Sequence, residues 1–187
     1  MFPSVSGYIS FSSASSSGPS TPTEAFSPAT VGPGAPATVT LTLNNPNTVA
    51  LTAAALADVL PDGLTVALTP NASTTCVGGV VTAAPSATSV LLTGGAIPAS
   101  GSCVVKFDAV SNASGVFINT IAAGGLATAE GVTNEDPATD QVRIIDPPSI
   151  GKQFSPTSIS AGGVSTLTLV LGNANATAAT GVLSPST

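Results

Sequence analysis

The chain has 187 residues, with three Lys or Arg against nine Asp or Glu, a net charge of −6, and no His. Three scattered cations exclude nucleic-acid binding, which rests on Lys and Arg neutralising phosphates, and attraction to anionic lipid fails for the same reason. The absence of His rules out Ser-His-Asp and Cys-His arrangements.

Mean hydropathy is +0.49, yet no uninterrupted apolar stretch reaches the ~20 residues of a spanning helix. Residues 1–20 show neither the basic start nor the apolar core of a secretory signal, so secretion implies a leader outside this sequence. Ala, Val, Leu, Ser and Thr dominate. Small β-compatible side chains alternating with Thr and Ser suit packed sheets. The Glu, Lys, Arg and Gln of exposed helix faces are nearly missing. The expectation is an all-β chain.

In chain order, residues 1–23 come first as one alternating stretch, Val5, Gly7, Ile9 and Phe11, followed by a Ser-rich linker. Residues 24–146 then read as one complete sandwich. Phe26 opens a short edge segment where Pro28 blocks ladder pairing, and Gly32-Pro33-Gly34 turns the chain. Residues 38–43 alternate strictly, which puts Val39, Leu41 and Leu43 on a buried face. Asn44-Asn45-Pro46-Asn47 breaks that strand. Further strands are predicted over 50–60, 64–68, 80–83, 89–92, 103–110, 115–121 and 141–145. In the strand from Cys103, Val105, Phe107 and Ala109 point inward, with Lys106 and Asp108 outside. Pro61-Asp62-Gly63 and Gly94-Gly95 are the turns between. Seven or more short strands with regular turn signals describe a β-sandwich of immunoglobulin-like type.

Residues 147–187 begin the pattern again. The sequence from Phe26, FSPATVGPGAPATVTLTLNNPNTVALT, and that from Phe154, FSPTSISAGGVSTLTLVLGNANATAAT, align without a gap at an offset of 128, with 12 of 27 positions identical. Such similarity at a fixed period marks a tandem unit. The second copy holds only its first strands and is a candidate donor segment. Its Phe154, Ile159, Leu167, Leu169 and Leu171, with Val5, Ile9 and Phe11 at the other end, are the candidate assembly residues, because they form an apolar face and an unpaired edge.

Few residues carry chemistry. Cys76 and Cys103 read as one disulfide, which implies an oxidising compartment; a metal site there wants further His or Cys ligands. Asp58 and Asp62, the nearest carboxylate pair, flank the Leu60-Pro61 turn and read as solvated or turn-capping rather than as a glycosidase pair. Glu130, Asn134, Glu135, Asp136 and Asp140 have two readings, an oxygen-rich calcium site or a solvated turn. Lys106, Arg143 and Lys152 read as solvated cations rather than isopeptide partners. No catalytic residue, cofactor or nucleotide motif is found, and the chain reads as non-enzymatic.

Phe-Ser-Pro, the Thr/Leu strand, Asn-Pro-Asn, Leu60-Pro61-Asp62-Gly63-Leu64, the run from Pro70 to Cys76 and the run from Ile97 to Cys103 form a set. As a set they resemble the bacterial conserved-repeat surface domains, a family of unknown function. The resemblance covers residues 26–146 and recurs from Lys152. It implies an immunoglobulin-like sandwich at the cell surface or outside the cell, serving as stalk, spacer or adhesive array. Two functions follow. One is a structural subunit or fragment of an extracellular stalk or fibre, self-associating into a polymer or tandem array, head to tail by strand complementation. The other is an adhesive module for carbohydrate or a host surface; there Tyr8 alone is poor aromatic material, and the loop from Asn71 to Cys76 offers the polar groups.

Overall fold

The structure, a computed structural model, describes residues 18–180. Val5, Tyr8, Ile9 and Phe11 lie outside the described residues. In chain order the strands are β1 (Thr23–Ser27), β2 (Thr30–Val31), β3 (Ala37–Asn45), β4 (Leu51–Val59), β5 (Thr65–Val66), β6 (Ser73–Thr74) and β7 (Val80–Thr82). They continue with β8 (Ser89–Ile97), β9 (Gly101–Val110), β10 (Gly115–Ile121), β11 (Leu126–Ala127), β12 (Ala138–Ile144), β13 (Ser149–Ser155) and β14 (Thr166–Gly172). Among the described residues there is no helix, and so none long and apolar enough to cross a membrane.

One sheet runs β1-β3-β9-β5 with β6 also on β9; a second runs β11-β4-β8-β7, and a third β10-β12-β2. The pairs are antiparallel except β12 with β2. The reason for the layering is visible in β3. Ala37, Val39, Leu41 and Leu43 are at most 2% exposed, while the Thr residues between them point the other way, as a period of two requires. Val39 lies opposite Phe107, Leu41 opposite Val105 and Leu43 opposite Cys103 on β9. This face packs in one continuous core with Leu51, Leu56, Leu92 and Ile97 of β4 and β8 and with Val142 and Ile144 of β12. Each such Leu or Phe contributes roughly 1.5–3 kcal/mol of transfer free energy. The chain is an all-β sandwich.

The structure contains the predicted strands in outline, with the short β2, β6 and β11 in addition, β8 running past the predicted 89–92 to Ile97, and β12 starting at Ala138; one predicted turn needs correction. Gly94 and Gly95 do not turn the chain; they lie inside β8, which runs on to Ile97. Gly94 has a φ of 71° beside the register shifts between β4 and β8. A Cβ on Gly95 would stand 2.9 Å from Cys76 Cβ. Paired glycines inside a strand here mark a bulge and a close approach, not a loop. The approach serves the disulfide between Cys76 and Cys103, whose Cα atoms are 4.9 Å apart. It ties the loop after β6 to the middle of the sandwich.

β13 and β14 form a separate two-stranded sheet. Phe154 lies opposite Leu167 and Lys152 opposite Leu169, as Phe26 lies opposite Val39 and Glu24 opposite Leu41. The register is the same at an offset of 128 residues. Ser27–Pro28 and Ser155–Pro156 are both cis.

Candidate functional site

Three places in the fold hold polar or apolar groups that packing alone does not require. The first lies between β1, β4 and β10. On β1, Glu24 shares its face with Phe26; on β4, Asp58 shares parity with Leu56 and Leu60; on β10, Asn119 shares parity with Phe117 and Ile121. Each strand therefore delivers one polar side chain inward. Asp58 and Asn119 are fully buried and Glu24 is half-buried.

Asn119 Nδ2 donates one hydrogen bond to Glu24 Oε1 at 2.7 Å and one to Asp58 Oδ1 at 2.8 Å. Glu24 Oε2, Asp58 Oδ2 and Asn119 Oδ1 have no partner. Burial raises the Glu24 carboxyl to about 8 against the Asn119 hydrogen bond, with the charges of Asp58 and Asp140 adding to the rise. Burial raises Asp58 as well, opposed by the same amide. A carboxyl removed from water resists ionisation, because its charged form loses most on desolvation.

Asp58 thus departs from the expectation of a solvated turn residue. It lies on β4 before the turn, and strand parity turns it into the core. Neither Glu24 nor Asn119 is distinguished by residue type alone. The alternation of β10, with Phe117 and Ile121 on either side of Asn119, was the available signal.

The second place is the junction between the sandwich and the β13–β14 sheet. Asn175 Oδ1 accepts from Asp146 N at 2.7 Å, and Asn175 Nδ2 donates to Asp146 O at 2.8 Å. One amide side chain satisfies both backbone groups of a single residue. The same arrangement stands at the other end of the sandwich, where Asn47 grips Gly18 through bonds of 2.7 and 3.0 Å. In both, the Asn two residues earlier accepts from the gripping residue's backbone: Asn45 for Asn47 and Asn173 for Asn175, each at 3.0 Å.

The third place is the face of β13–β14. Phe154, Ile159, Leu167, Leu169 and Leu171 are 46, 53, 45, 56 and 63% exposed. Lys152 lies with them, its Nζ 5.7 Å from the centre of the Phe154 ring.

The acidic residues considered for calcium serve separate jobs. Glu130 Oε2 and Oε1 accept from Thr52 N at 2.8 Å and Thr52 Oγ1 at 2.6 Å, the hydroxyl chiefly lowering its pKa. Asn134 is buried, accepting from Leu126 N and donating to Ala122 O and Asp136 O. Asp140 Oδ2 accepts from Phe26 N at 2.8 Å, while Glu135 and Asp136 face solvent. They are not gathered round one point, and no metal-ligating group of three His, Cys, Asp or Glu occurs among the described residues.

Asp108, expected outside, is only 9% exposed. Its Oδ1 accepts from Thr38 Oγ1 and its Oδ2 from Asn71 Nδ2, each at 2.7 Å. These bonds fasten the loop before β6 and border an open groove of about 460 Å³ beside Leu68 and Asn112.

Fold and geometry together define a β-sandwich of immunoglobulin-like topology with a further hairpin pinned to its end. The chain belongs to the family described as Domain of unknown function (DUF7933), whose model matches residues 21–144. No curated protein matches the chain. Among solved structures it is similar to a cohesin module from a Clostridium perfringens family 33 glycoside hydrolase, at 13% identity and a TM-score of 0.46, covering 70% of this chain and 98% of that one. It is also similar to the collagen-binding domain of a Staphylococcus aureus adhesin, at 13% identity and a TM-score of 0.44, covering 65% and 96%. The bacterial hydrophobin BslA is similar at 13% identity and a TM-score of 0.44, covering 70% and 97%.

Proposed function

We propose that this protein is a non-enzymatic structural unit of an extracellular stalk or fibre. In it, sandwich units follow one another head to tail, and added β-strands cover the apolar face of β13–β14. The observation that carries the reading is the repeated junction. An Asn amide grips the backbone of the connecting residue at both ends of the sandwich, Asn47 on Gly18 and Asn175 on Asp146.

A pair of hydrogen bonds from one planar side chain restricts rotation about the connection, which is what a load-bearing array needs and a lone domain does not. The disulfide supports an oxidising, extracellular setting. The uncovered face supports assembly, because its counterparts Phe26, Val39, Leu41 and Leu43 are at most 5% exposed when a second sheet lies over them. Strand addition to an open sheet supplies both the missing hydrogen bonds and the missing apolar contacts. The alternating Val5, Ile9 and Phe11 of a following copy have the pattern of one such strand.

Light scattering with electron microscopy of the purified chain tests the reading. Elongated particles that grow with concentration are expected. A particle that stays monomeric at every concentration would contradict it.

A further inference from the structure

We infer that the Asp146–Pro147 bond at the junction is a self-cleavage site, at which the Asp146 carboxylate is the nucleophile and Asn175 holds the carbonyl under attack. The repeat frames the site. Asp146 and Pro147 lie 128 residues after Gly18 and Pro19, as Asn175 lies 128 after Asn47. Both junctions are therefore X-Pro bonds whose carbonyl oxygen accepts from an Asn amide, at 3.0 Å for Gly18 and 2.8 Å for Asp146. Of the two, the second has an acid on the residue that owns the carbonyl.

Three features favour scission there. An X-Pro bond is a tertiary amide, and its nitrogen leaves as a secondary amine that binds a proton well. The aspartate carboxylate closes on its own backbone carbonyl carbon through a five-membered ring, so the attack is unimolecular and no distant element has to supply the nucleophile. Asn175 meets the negative charge that then develops on Asp146 O, as a donor already in place. Its amide is held on both sides. Oδ1 accepts from Asp146 N at 2.7 Å, and Nδ2 also donates to Asn173 Oδ1 at 2.9 Å. Asp146 is half-buried and Pro147 exposed, so water reaches the bond. Of the side chains lining the cavities of about 200 and 430 Å³ beside the junction, Arg143 and Asp146 carry charge.

The reaction consumes one water molecule. A carboxylate oxygen of Asp146 forms a bond to the residue's own backbone carbonyl carbon. The carbon–nitrogen bond to Pro147 breaks, and the nitrogen takes a proton from solvent and departs as the amine of a new chain end. Water opens the cyclic anhydride left on Asp146, adding hydroxide to one carbonyl and returning one proton to solvent. Residues 1–146 then end in a free aspartate, and residues 147–187 begin at proline.

A second Asp–Pro bond, Asp136–Pro137, also has its carbonyl held by an Asn, with Asn134 Nδ2 2.8 Å away. It lies just before β12 inside the sandwich, and a break there parts no units, because β12 stays paired with β10 and β2. A break at Asp146 separates the sandwich from the β13–β14 hairpin and gives an array of such units a built-in point of release. The release role rests on the proposed assembly; the cleavage itself does not, so a failure of either is told apart from a failure of the other.

The test compares the full chain with a free peptide of residues 141–152 in one mildly acidic buffer, in which circular dichroism shows the sandwich folded, and follows the fragments by mass. The full chain is expected to break at 146–147 about tenfold faster than the peptide, the worth of one hydrogen bond to a developing charge. Asn175→Ala should fall to the peptide's rate, Asp146→Ala should stay whole at that bond, and the Gly18–Pro19 bond should remain intact throughout. A full chain that breaks at 146–147 no faster than the peptide overturns the inference. So does an Asn175→Ala chain that breaks as fast as the parent, and so does a break at 146–147 that persists in Asp146→Ala.

Discussion

The β1–β3 hairpin and the β13–β14 hairpin are nearly the same object in two environments. Their registers coincide at every pair they share, and both end in the same Asn-x-Asn turn. Under a second sheet, Leu41 and Leu43 of β3 are fully buried; without one, their counterparts Leu169 and Leu171 are more than half exposed. The shared register follows from the shared local sequence, and burial is a separate contribution made by strands far away in the chain. The difference between the two copies isolates what tertiary packing adds.

The largest effect should come from the matched pair Leu41→Ala and Leu169→Ala. The first removes a fully packed side chain and should cost about 2–5 kcal/mol; the second should change unfolding of the dilute chain by less than about 0.5 kcal/mol. Chemical denaturation followed by circular dichroism measures both. Equal costs would mean that the β13–β14 face is already covered.

Next in size is the disulfide. Replacing Cys76 and Cys103 together by Ala should lower the stability of the sandwich by about 3 kcal/mol through a freer unfolded chain, and should leave β13–β14 unaffected. Hydrogen exchange resolved by segment separates the two regions.

A pH-dependent effect follows from the buried carboxyls of the first copy, of which Glu24 has Lys152 as its counterpart in the second. Folded Glu24 keeps its proton to about pH 8, whereas the unfolded chain releases it near the ordinary glutamate value. The proton thus favours the native state below the unfolded pKa, and that stability is lost as pH rises through the window up to about 8. Asp58 is shifted in the same direction and adds to the slope. The melting temperature should fall from acid to mildly alkaline pH, and Glu24→Gln should flatten the profile. A melting temperature that rises across that window would show the carboxyl to be ionised in the native state.

The smallest effect belongs to the junction. Asn175→Ala should cost about 1 kcal/mol in local opening, seen as faster exchange of the Asp146 amide, with the melting of the sandwich unchanged. Asn47→Ala should do the same at Gly18.

Much of this was legible in the sequence because the sheets alternate strictly. Val39, Leu41, Leu43, Val105, Phe107 and Ala109 were assigned to the core by period alone, and the repeat exposed the second hairpin. The polar pocket was legible only by applying the same parity to polar residues. Asp58 looks like a turn residue beside Pro61 and Asp62, but its parity with Leu56 puts it inside. Gly94-Gly95 reads as a turn because a glycine pair has the same composition in a turn and in a bulge; only the disulfide packed against it decides. Asp108 was misplaced for a related reason, since outward parity does not reveal the Thr38 and Asn71 groups that cover it. The junction was hidden because an Asn gripping a backbone twenty-nine residues away leaves no local pattern.

Central to the proposed function is that copies of the chain associate over the exposed Phe154, Leu167, Leu169 and Leu171. Light scattering of the chain across a range of concentrations, beside a Leu167→Glu/Leu169→Glu variant, tests it most directly. The account predicts growth of the parent into elongated assemblies and a monomeric variant with the parent's melting temperature for its disulfide-bonded sandwich. A parent that remains monomeric throughout, or a variant that assembles equally well, would contradict it.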